Sequence, residues 1–338
     1  MNRSAYFDNA KAILIYLVVL GHLMSGYLEK NQYIDTLYLV IYFFHMPAFI
    51  LIAGHFSRTV KSVSDLKKIG KTLLLPYIIF QLLYTLYYKN IFGDGVIFEF
   101  FEPRYAMWFL LSMVMWKFML WAFSGHKLMV LVSIVLSLLV GYISEVNEWL
   151  SLARTFFFFP FFLMGYHLNR ENFVKMKNKW NMGIASVLGL VFILFVYQYG
   201  DVRWKEWFFG RIPYEDIHYG IVESGTSTGV LSRLFVYGIM MIATYIFLSL
   251  VPKNHQWYTD IGGKTLAVYL LHLFAVRAFK ATAVYEWIED TGNYLALFAI
   301  AFFIVYILSS KWVWKVTSPI ITGNIINLPK KLKMRDSV

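Results

Sequence analysis

Long apolar runs alternate with short polar breaks along the whole chain. A run of about 20 apolar residues can cross a bilayer as an α-helix. The pattern therefore predicts about ten membrane-spanning helices, over residues 8–28, 35–56, 71–89, 105–123, 128–143, 153–169, 182–199, 230–251, 264–280 and 294–316. We expect an all-α, polytopic membrane protein in which residues 1–322 form one membrane domain and residues 323–338 a basic cytoplasmic tail.

Composition supports this interpretation and narrows the possible chemistry. Of the 338 residues, 59% are hydrophobic and only 15% are charged, unlike ordinary soluble domains. The first apolar run contains Asp8 and Lys11 and lacks a small-residue cleavage site after it, so we expect it to remain as the first span rather than to be removed as a signal peptide. The chain has no cysteine, which excludes disulfide bonds, a thiolate nucleophile and a cysteine-based metal site.

The charges of the loops predict the orientation in the membrane. Most lysines and arginines lie at the two chain ends and in alternate loops, such as those near residues 57–71 and 170–179, whereas most acidic residues lie in the other loops. The positive-inside rule therefore predicts a cell-membrane protein with both termini in the cytoplasm. Because the basic residues are scattered over short loops instead of forming a long stripe, we do not expect nucleic-acid binding.

The first span carries two ionisable residues, in the stretch KAILIYLVVLGH. Because an α-helix turns about 100° per residue, Lys11 and His22 lie within about 20° of one helix face and about 16 Å apart along the axis. They could line one cavity at two depths, with Lys11 holding a negatively charged end of a ligand and His22 acting as a general base on a hydroxyl. A buried histidine bonded to a neighbouring helix would produce the same pattern.

Other polar residues extend this hypothesis. His45 precedes Pro47, which breaks the second predicted helix, so His45 either lines the cavity or caps the carbonyls that proline frees. Lys68 and Lys71 lie one helical turn apart at the inner mouth of the third span, where they could bind phosphates or simply attract anionic lipid. The remaining ionisable residues in predicted spans are functional candidates or groups that reach the membrane surface, namely His55, Lys117, Arg154, His167, Arg233, His272 and Arg277. Metal-hydrolase, serine-hydrolase and nucleotide-triphosphatase motifs are missing, and we expect no metal.

Six stretches, in order, resemble the acyltransferase-3 family of integral membrane acyltransferases, in particular its branch related to fucose 4-O-acetylases. They are RSAYFDNAKAILIYLVVLGH, FFHMPAFILIAGHFSR, KKIGKTLLLPYIIF, MWFLLSMVMW, RTFFFFPFFLMGYHL and IGGKTLAVYLLHLF. The resemblance implies a ten-helix domain that takes an acyl group, usually acetyl, from cytoplasmic acyl-coenzyme A. The acceptor would be a hydroxyl of an envelope glycan or a lipid-linked sugar outside the membrane.

The same resemblance assigns roles to individual residues. Lys11 and His22 match the family's basic residue and histidine of the first span, and Lys68 and Lys71 match a pair of family arginines at the inner end of the third. Lysine replaces arginine at all three basic positions, so phosphate contacts there would be point-like rather than bidentate. Further matching phrases contain Trp108, Arg154 and His272.

These observations together favour an O-acyltransferase, most simply an O-acetyltransferase, with His22 as general base and Lys11, Lys68 and Lys71 binding acyl-coenzyme A. An intermediate acyl-enzyme would have to form on a Ser, Thr, Tyr or His side chain. Many family members add an extracytoplasmic domain that completes transfer, so we expect either direct acylation of the final acceptor or a separate acyl-accepting protein. A transporter or flippase of a glycan precursor is the alternative, although the chain shows no internal repeat. A purely structural subunit is a third possibility.

Overall fold

A computed structural model describes residues 4–93, 100–146, 149–217 and 228–323 of the protein. These residues form α-helices joined by short turns, and no β-strand occurs among them. The helices are α1 (Ala5–Met24), α2 (Gln32–His55), α3 (Val63–Ile69), α4 (Leu75–Phe92), α5 (Trp108–Phe123), α6 (Met129–Val140), α7 (Leu152–His167), α8 (Arg170–Met176), α9 (Lys179–Tyr199), α10 (Lys205–Phe209), α11 (Gly229–Leu250), α12 (Thr265–Lys280), α13 (Ala283–Thr291), α14 (Ala296–Leu308) and α15 (Lys311–Ile321).

The helix lengths confirm a polytopic, all-α membrane protein. In the described ranges, seven helical segments are long and apolar enough to cross a membrane, and nine if two bent helix pairs each count as one span. The bends are 70° between α12 and α13 and 63° between α14 and α15. The predicted span 128–143 corresponds to α6, whose 12 residues extend about 18 Å, less than the hydrocarbon core of about 30 Å. The count of ten and the cytoplasmic termini stay predictions, and residues 324–338 of the predicted tail lie outside the described residues.

α1 occupies the centre of the molecule, and α9 lies at its periphery. In the most apolar part of each helix, 72% of the residues of α1 are buried within the protein but only 11% of those of α9. The N-terminal part of α1 is anchored by Asn9, whose side-chain amide donates to the carbonyls of Pro252 (2.9 Å) and Asn254 (2.8 Å) and accepts from Thr259 (2.5 Å). These hydrogen bonds fix the N-terminal part of α1 against the segment that follows α11.

The third span begins further towards the N-terminus than the sequence pattern predicts. A capping box of Ser62 and Asp65 starts α3, which continues through a π-helical turn, Gly70–Leu74, into α4. Because a π-turn contains more residues than an α-turn, side chains on either side of Gly70 point in different directions from those of a regular helix. Lys68 precedes this turn and Lys71 lies within it, so the two lysines do not have the spacing of a regular α-helix.

Two glycines allow α2 and α7 to pack with their backbones almost in contact. A Cβ atom on Gly54 would lie 2.0 Å from the carbonyl oxygen of Phe162, and one on Gly165 would lie 1.9 Å from that of Leu51. Small residues at such crossings are the usual means of close packing between membrane helices. This crossing fixes α7, which carries Arg154, against α2, which carries His45.

Alanine at either of these glycines is expected to destabilise the protein by about 1–3 kcal/mol, because the backbones must separate to admit one methyl group. Thermal unfolding of Gly54→Ala and Gly165→Ala in detergent would measure this loss. Gly183→Ala in α9 is the matched control, since its Cβ would meet no atom within 4 Å, and we expect it to be neutral or slightly stabilising. Equal stability of all three variants would contradict the packing argument.

Candidate active site

Three cavities follow one another through the helices. The first, of about 470 Å³, shares Phe56 and Leu73 with the second, of about 350 Å³, and the second shares Val18, Met46 and Tyr269 with a third of about 300 Å³. We name them the mouth, the middle cavity and the chamber. The order of residues along α1 follows this path, because Lys11 lines the middle cavity, Val18 lines both it and the chamber, and His22 lines the chamber.

The mouth is a polar cavity with an excess of positive charge. Arg58, Lys68 and Lys117 line it together with one acidic residue, Asp65. The carboxylate of Asp65 accepts hydrogen bonds from the backbone amides of Lys61 and Ser62 and from the hydroxyl of Ser62. Because this carboxylate is already used to cap α3, the three cations of the mouth are available to an anionic ligand. Lys117 is held by a bond of 3.4 Å from its ammonium to the hydroxyl of Ser57.

The middle cavity is mostly apolar and has Lys11 at its wall. Its polar side chains are Lys11, Thr265 and Tyr269, and the other lining residues are apolar. The Lys11 ammonium lies 2.8 Å from the carboxylate of Asp8, which is buried. A ligand that contacts Lys11 would therefore meet a lysine whose charge is already balanced in part by Asp8.

Two histidines face the chamber, His22 from α1 and His45 from α2. The Nδ1–H of His45 donates to the carbonyl of Ile41 at 2.8 Å, so Nε2 of the neutral ring is the acceptor atom. His45 lines the cavity, as one of the two predicted alternatives has it. The carbonyl that it bonds is that of Ile41, not that of Phe43, which would face the missing amide of Pro47, so the structure does not show His45 capping the carbonyl that proline frees.

A third histidine, His272 of α12, packs against His22. Their ring centroids lie 5.1 Å apart, and the Nδ1–H of His272 donates to the carbonyl of Tyr269 at 2.6 Å. The Nε2 atom of His272 is buried and has no hydrogen-bond partner in the described part of the chain. On the other side, the Lys280 ammonium donates to the Ser25 hydroxyl, which donates to the carbonyl of His22. The end of α1 that carries His22 is therefore held from two directions.

The rest of the chamber combines aromatic rings with arginines. Arg154 lies over the ring of Trp108 at 5.2 Å, and Arg211 reaches the same cavity from the segment after α10. Tyr105 lines the chamber with a backbone φ of 48°, a strained value for a tyrosine. None of the described residues that line the chamber is acidic. Cations, aromatic faces and neutral imidazoles can hold a polar acceptor and stabilise negative charge that develops on an oxygen.

The structure brings most of the predicted site residues onto this path. Lys68 lines the mouth, Lys11 the middle cavity, and His22, His45, Trp108 and Arg154 the chamber, with His272 directly behind His22. Lys71 is the exception, because it is exposed, lines none of the three cavities and lies beside Gly323. Its role in ligand binding stays a prediction.

The sequence pattern predicts no site role for Arg58, Arg211 or Tyr269, and it indicates Lys117 only as a charge inside a span. These residues line the path from separate segments of the chain. No local spacing in the sequence therefore indicates that they belong to one site. Arg233, by contrast, is a structural residue, since it is buried, lies 4.5 Å from the ring centre of Tyr214 and donates to the carbonyl of Ser137. Within the described ranges, no group of three His, Asp or Glu side chains is arranged to hold a metal ion.

The sequence of this helical membrane domain matches a family of acyltransferases. Residues 4–310 match the family described as "Acyltransferase domain" (Acyl_transf_3). Because this match covers nearly the whole chain, the protein is a member of that family, and the family assignment made from the six sequence stretches is confirmed.

Two curated relatives show shorter matches. "Nodulation protein NolL" of Sinorhizobium fredii (strain NBRC 101917 / NGR234) is 39% identical over 82 residues, which cover 22% of each chain. "Nodulation protein NolL" of Mesorhizobium japonicum (strain LMG 29417 / CECT 9101 / MAFF 303099) is 36% identical over 93 residues, 25% of each chain. The matches thus span about a quarter of these relatives or less. No solved structure shows a significant match to the chain.

Proposed function

We propose that this membrane acyltransferase takes an acyl group, most simply acetyl, from cytoplasmic acyl-coenzyme A and transfers it to a hydroxyl of an extracytoplasmic glycan or lipid-linked sugar. The observation that carries the proposal is the series of three cavities that leads from a basic mouth to a chamber containing His22. The chemical character of each cavity suits one part of the donor or the acceptor.

The donor fits the path from its phosphates to its thioester. Arg58, Lys68 and Lys117 would contact the phosphates, since charged hydrogen bonds to phosphate are among the stronger polar contacts in proteins. The long, thin arm of coenzyme A would lie in the middle cavity, where Lys11, Thr265 and Tyr269 offer polar contacts to its amides. The thioester would then reach the chamber past Val18, Met46 and Tyr269, the residues common to both cavities.

In the chamber, His22 would act as general base. The acceptor hydroxyl loses its proton to the neutral imidazole while its oxygen forms a bond to the thioester carbonyl carbon. The carbon–sulfur bond then breaks, the proton passes from His22 to the departing thiolate, and the products are an ester and free coenzyme A. Arg154 and Arg211 face the same cavity and would stabilise the negative charge on the carbonyl oxygen of the tetrahedral intermediate.

The acceptor is expected to be a polar, ring-shaped molecule such as a sugar. Tyr38, Tyr42, Tyr105 and Trp108 line the chamber, and aromatic faces combined with hydroxyl groups suit the stacking and hydrogen bonding of sugar rings. Residues 200–229 are rich in aromatic side chains and are a further candidate for contact with the acceptor, but residues 218–227 of this segment lie outside the described residues. The lining of the chamber therefore suits an acceptor whose ring has a flat face and carries hydroxyl groups.

Transfer of radiolabelled acetyl groups from acetyl-coenzyme A by the purified protein in liposomes would test this function. We expect coenzyme A to be released only when the protein is present. When lipid-linked glycans are supplied, the radiolabelled acetyl group should appear on them and be recovered in the organic phase. Empty liposomes are the control. Longer acyl-coenzyme A species test whether the protein transfers an acyl group other than acetyl. Failure to bind or turn over any of these thioesters would contradict the proposal. Movement of a glycan precursor across the bilayer without a thioester would favour a flippase instead.

A further inference from the structure

A fourth cavity lies apart from the acyl-transfer path, between the start of α1, helix α8 and the segment after α11. Its volume is about 150 Å³, and it shares no lining residue with the mouth, the middle cavity or the chamber. Its walls are formed by the first residues of α1, by α8, and by Lys177 and Lys253. We name it the α8 cavity. The proposed transfer reaction gives it no role.

Lys177 forms the floor of the α8 cavity and is held in place from one side. Its side chain is buried, and its ammonium donates to the carbonyls of Ser249 (2.5 Å) and Val251 at the end of α11 and lies 5.6 Å from the ring centre of Tyr6. An ammonium has three N–H donors, so one donor is left for a further acceptor. Burial, and to a smaller extent the charge of Lys253, lowers the pKa of Lys177 to about 8, which leaves it mostly charged at neutral pH.

Two further cations complete the wall, and no described residue there is acidic. Arg170 at the start of α8 and Lys253 after α11 are both exposed side chains that line the cavity. Three positive charges around a small volume repel one another. An anion bound between them would be attracted to all three and would offset this repulsion. The charge pattern is the reverse of a metal site and suits an anionic ligand.

The first turn of α1 adds backbone donors to the same cavity. Ser4 is the N-cap residue of α1, and its side chain makes no capping hydrogen bond. The first amides of a helix lack intrahelical acceptors and carry a partial positive charge, so they bind anions such as phosphate. Ser4, Tyr6 and Phe7 all line the cavity, which places this helix end beside the three basic side chains.

The position of α8 indicates where such an anion would come from. Phe173 is buried against the protein, whereas Val174 is 59% exposed, although it follows directly in sequence. The exposed Val174 lies between the basic residues Arg170 and Lys175 of α8, and basic side chains near a membrane surface attract anionic headgroups. An anionic lipid could therefore place its headgroup in the cavity and its chains beside Val174.

We propose that the α8 cavity binds a phosphate group, supplied by the headgroup of an anionic phospholipid or by a soluble phosphate compound. The phosphate would bridge Arg170, Lys177 and Lys253 and accept hydrogen bonds from the first turn of α1. Such a ligand would join α1, α8 and the segment after α11, and it would fix the N-terminal half of α1, which carries Lys11.

The test uses full-length protein in nanodiscs of phosphatidylglycerol or phosphatidylcholine, with lipid retention measured by native mass spectrometry and stability by thermal unfolding. We expect the wild type to retain phosphatidylglycerol and to unfold at a higher temperature in it. The double variant Arg170→Gln/Lys253→Gln should weaken this binding about tenfold or more, because it removes two charged contacts to phosphate. Lys177 is left intact because its carbonyl contacts make its replacement harmful to folding.

Lys175→Gln is the matched control, since Lys175 is an exposed lysine of the same helix that does not line the cavity. It should behave as the wild type. A second arm adds inorganic phosphate or glycerol 3-phosphate to protein in phosphatidylcholine. Protection by these compounds that the double variant loses would support the same site with a soluble ligand. If neither source stabilises the wild type more than the double variant, or if Lys175→Gln loses as much as the double variant, the proposal is wrong.

Discussion

Replacement of His22 by alanine is expected to lower the turnover of acyl transfer by about 10²–10⁴-fold, the usual contribution of a general base. His22 lines the chamber at the end of the path, and its main-chain carbonyl is held by Ser25, so the alanine variant removes the imidazole and leaves the end of α1 in place. The KM for acyl-coenzyme A should change little, because the phosphates would bind at the mouth, at the other end of the path.

Initial rates with saturating donor would measure this loss, and protein abundance and thermal unfolding would establish that the variant is folded. His22→Gln refines the result, since glutamine keeps a polar group but cannot accept the proton. His255→Ala is the matched control, because His255 is 68% exposed and lines none of the cavities. A rate within tenfold of the wild type for His22→Ala would exclude His22 as the base and direct attention to His45 and His272.

The part of the site that lies within one helix could be predicted from the sequence. Lys11 and His22 belong to α1, so the regular geometry of an α-helix alone places them on one face at two depths, and the structure puts them in consecutive cavities. The all-helical membrane fold was also predictable, because the length of each apolar run shows whether that run can cross a membrane as a helix.

The remainder depends on contacts between helices that the chain order does not reveal. Arg211 reaches the chamber from a segment after α10, and Lys117 reaches the mouth from α5. Lys68 lines the mouth and Lys71 does not, and Lys71 lies within the π-turn Gly70–Leu74, which the apolar pattern does not signal. The bend between α14 and α15 likewise falls inside the predicted span 294–316, which the apolar pattern shows as continuous.

The double variant Lys68→Met/Lys117→Met is expected to raise the KM for acyl-coenzyme A by about 10²-fold or more. Both lysines line the mouth, and each charged contact to a phosphate contributes about 1.5–3 kcal/mol. The kcat should change little, because the mouth would bind the donor equally in the ground state and in the transition state. Steady-state kinetics over a range of acyl-coenzyme A concentrations would separate the two parameters.

A donor without the nucleotide makes this prediction specific. An acyl-pantetheine keeps the arm and the thioester but has no phosphates, so the wild type and the double variant should turn it over with the same KM and kcat. Lys67→Met is the matched control, since Lys67 is an exposed lysine of α3 that does not line the mouth, and Lys71→Met tests separately the role that family resemblance gives to Lys71. If the double variant affects acyl-pantetheine as strongly as acyl-coenzyme A, its lysines act on the structure of the mouth rather than on phosphates. If it affects neither donor, the nucleotide binds elsewhere, and the direction of the path through the three cavities must be reconsidered.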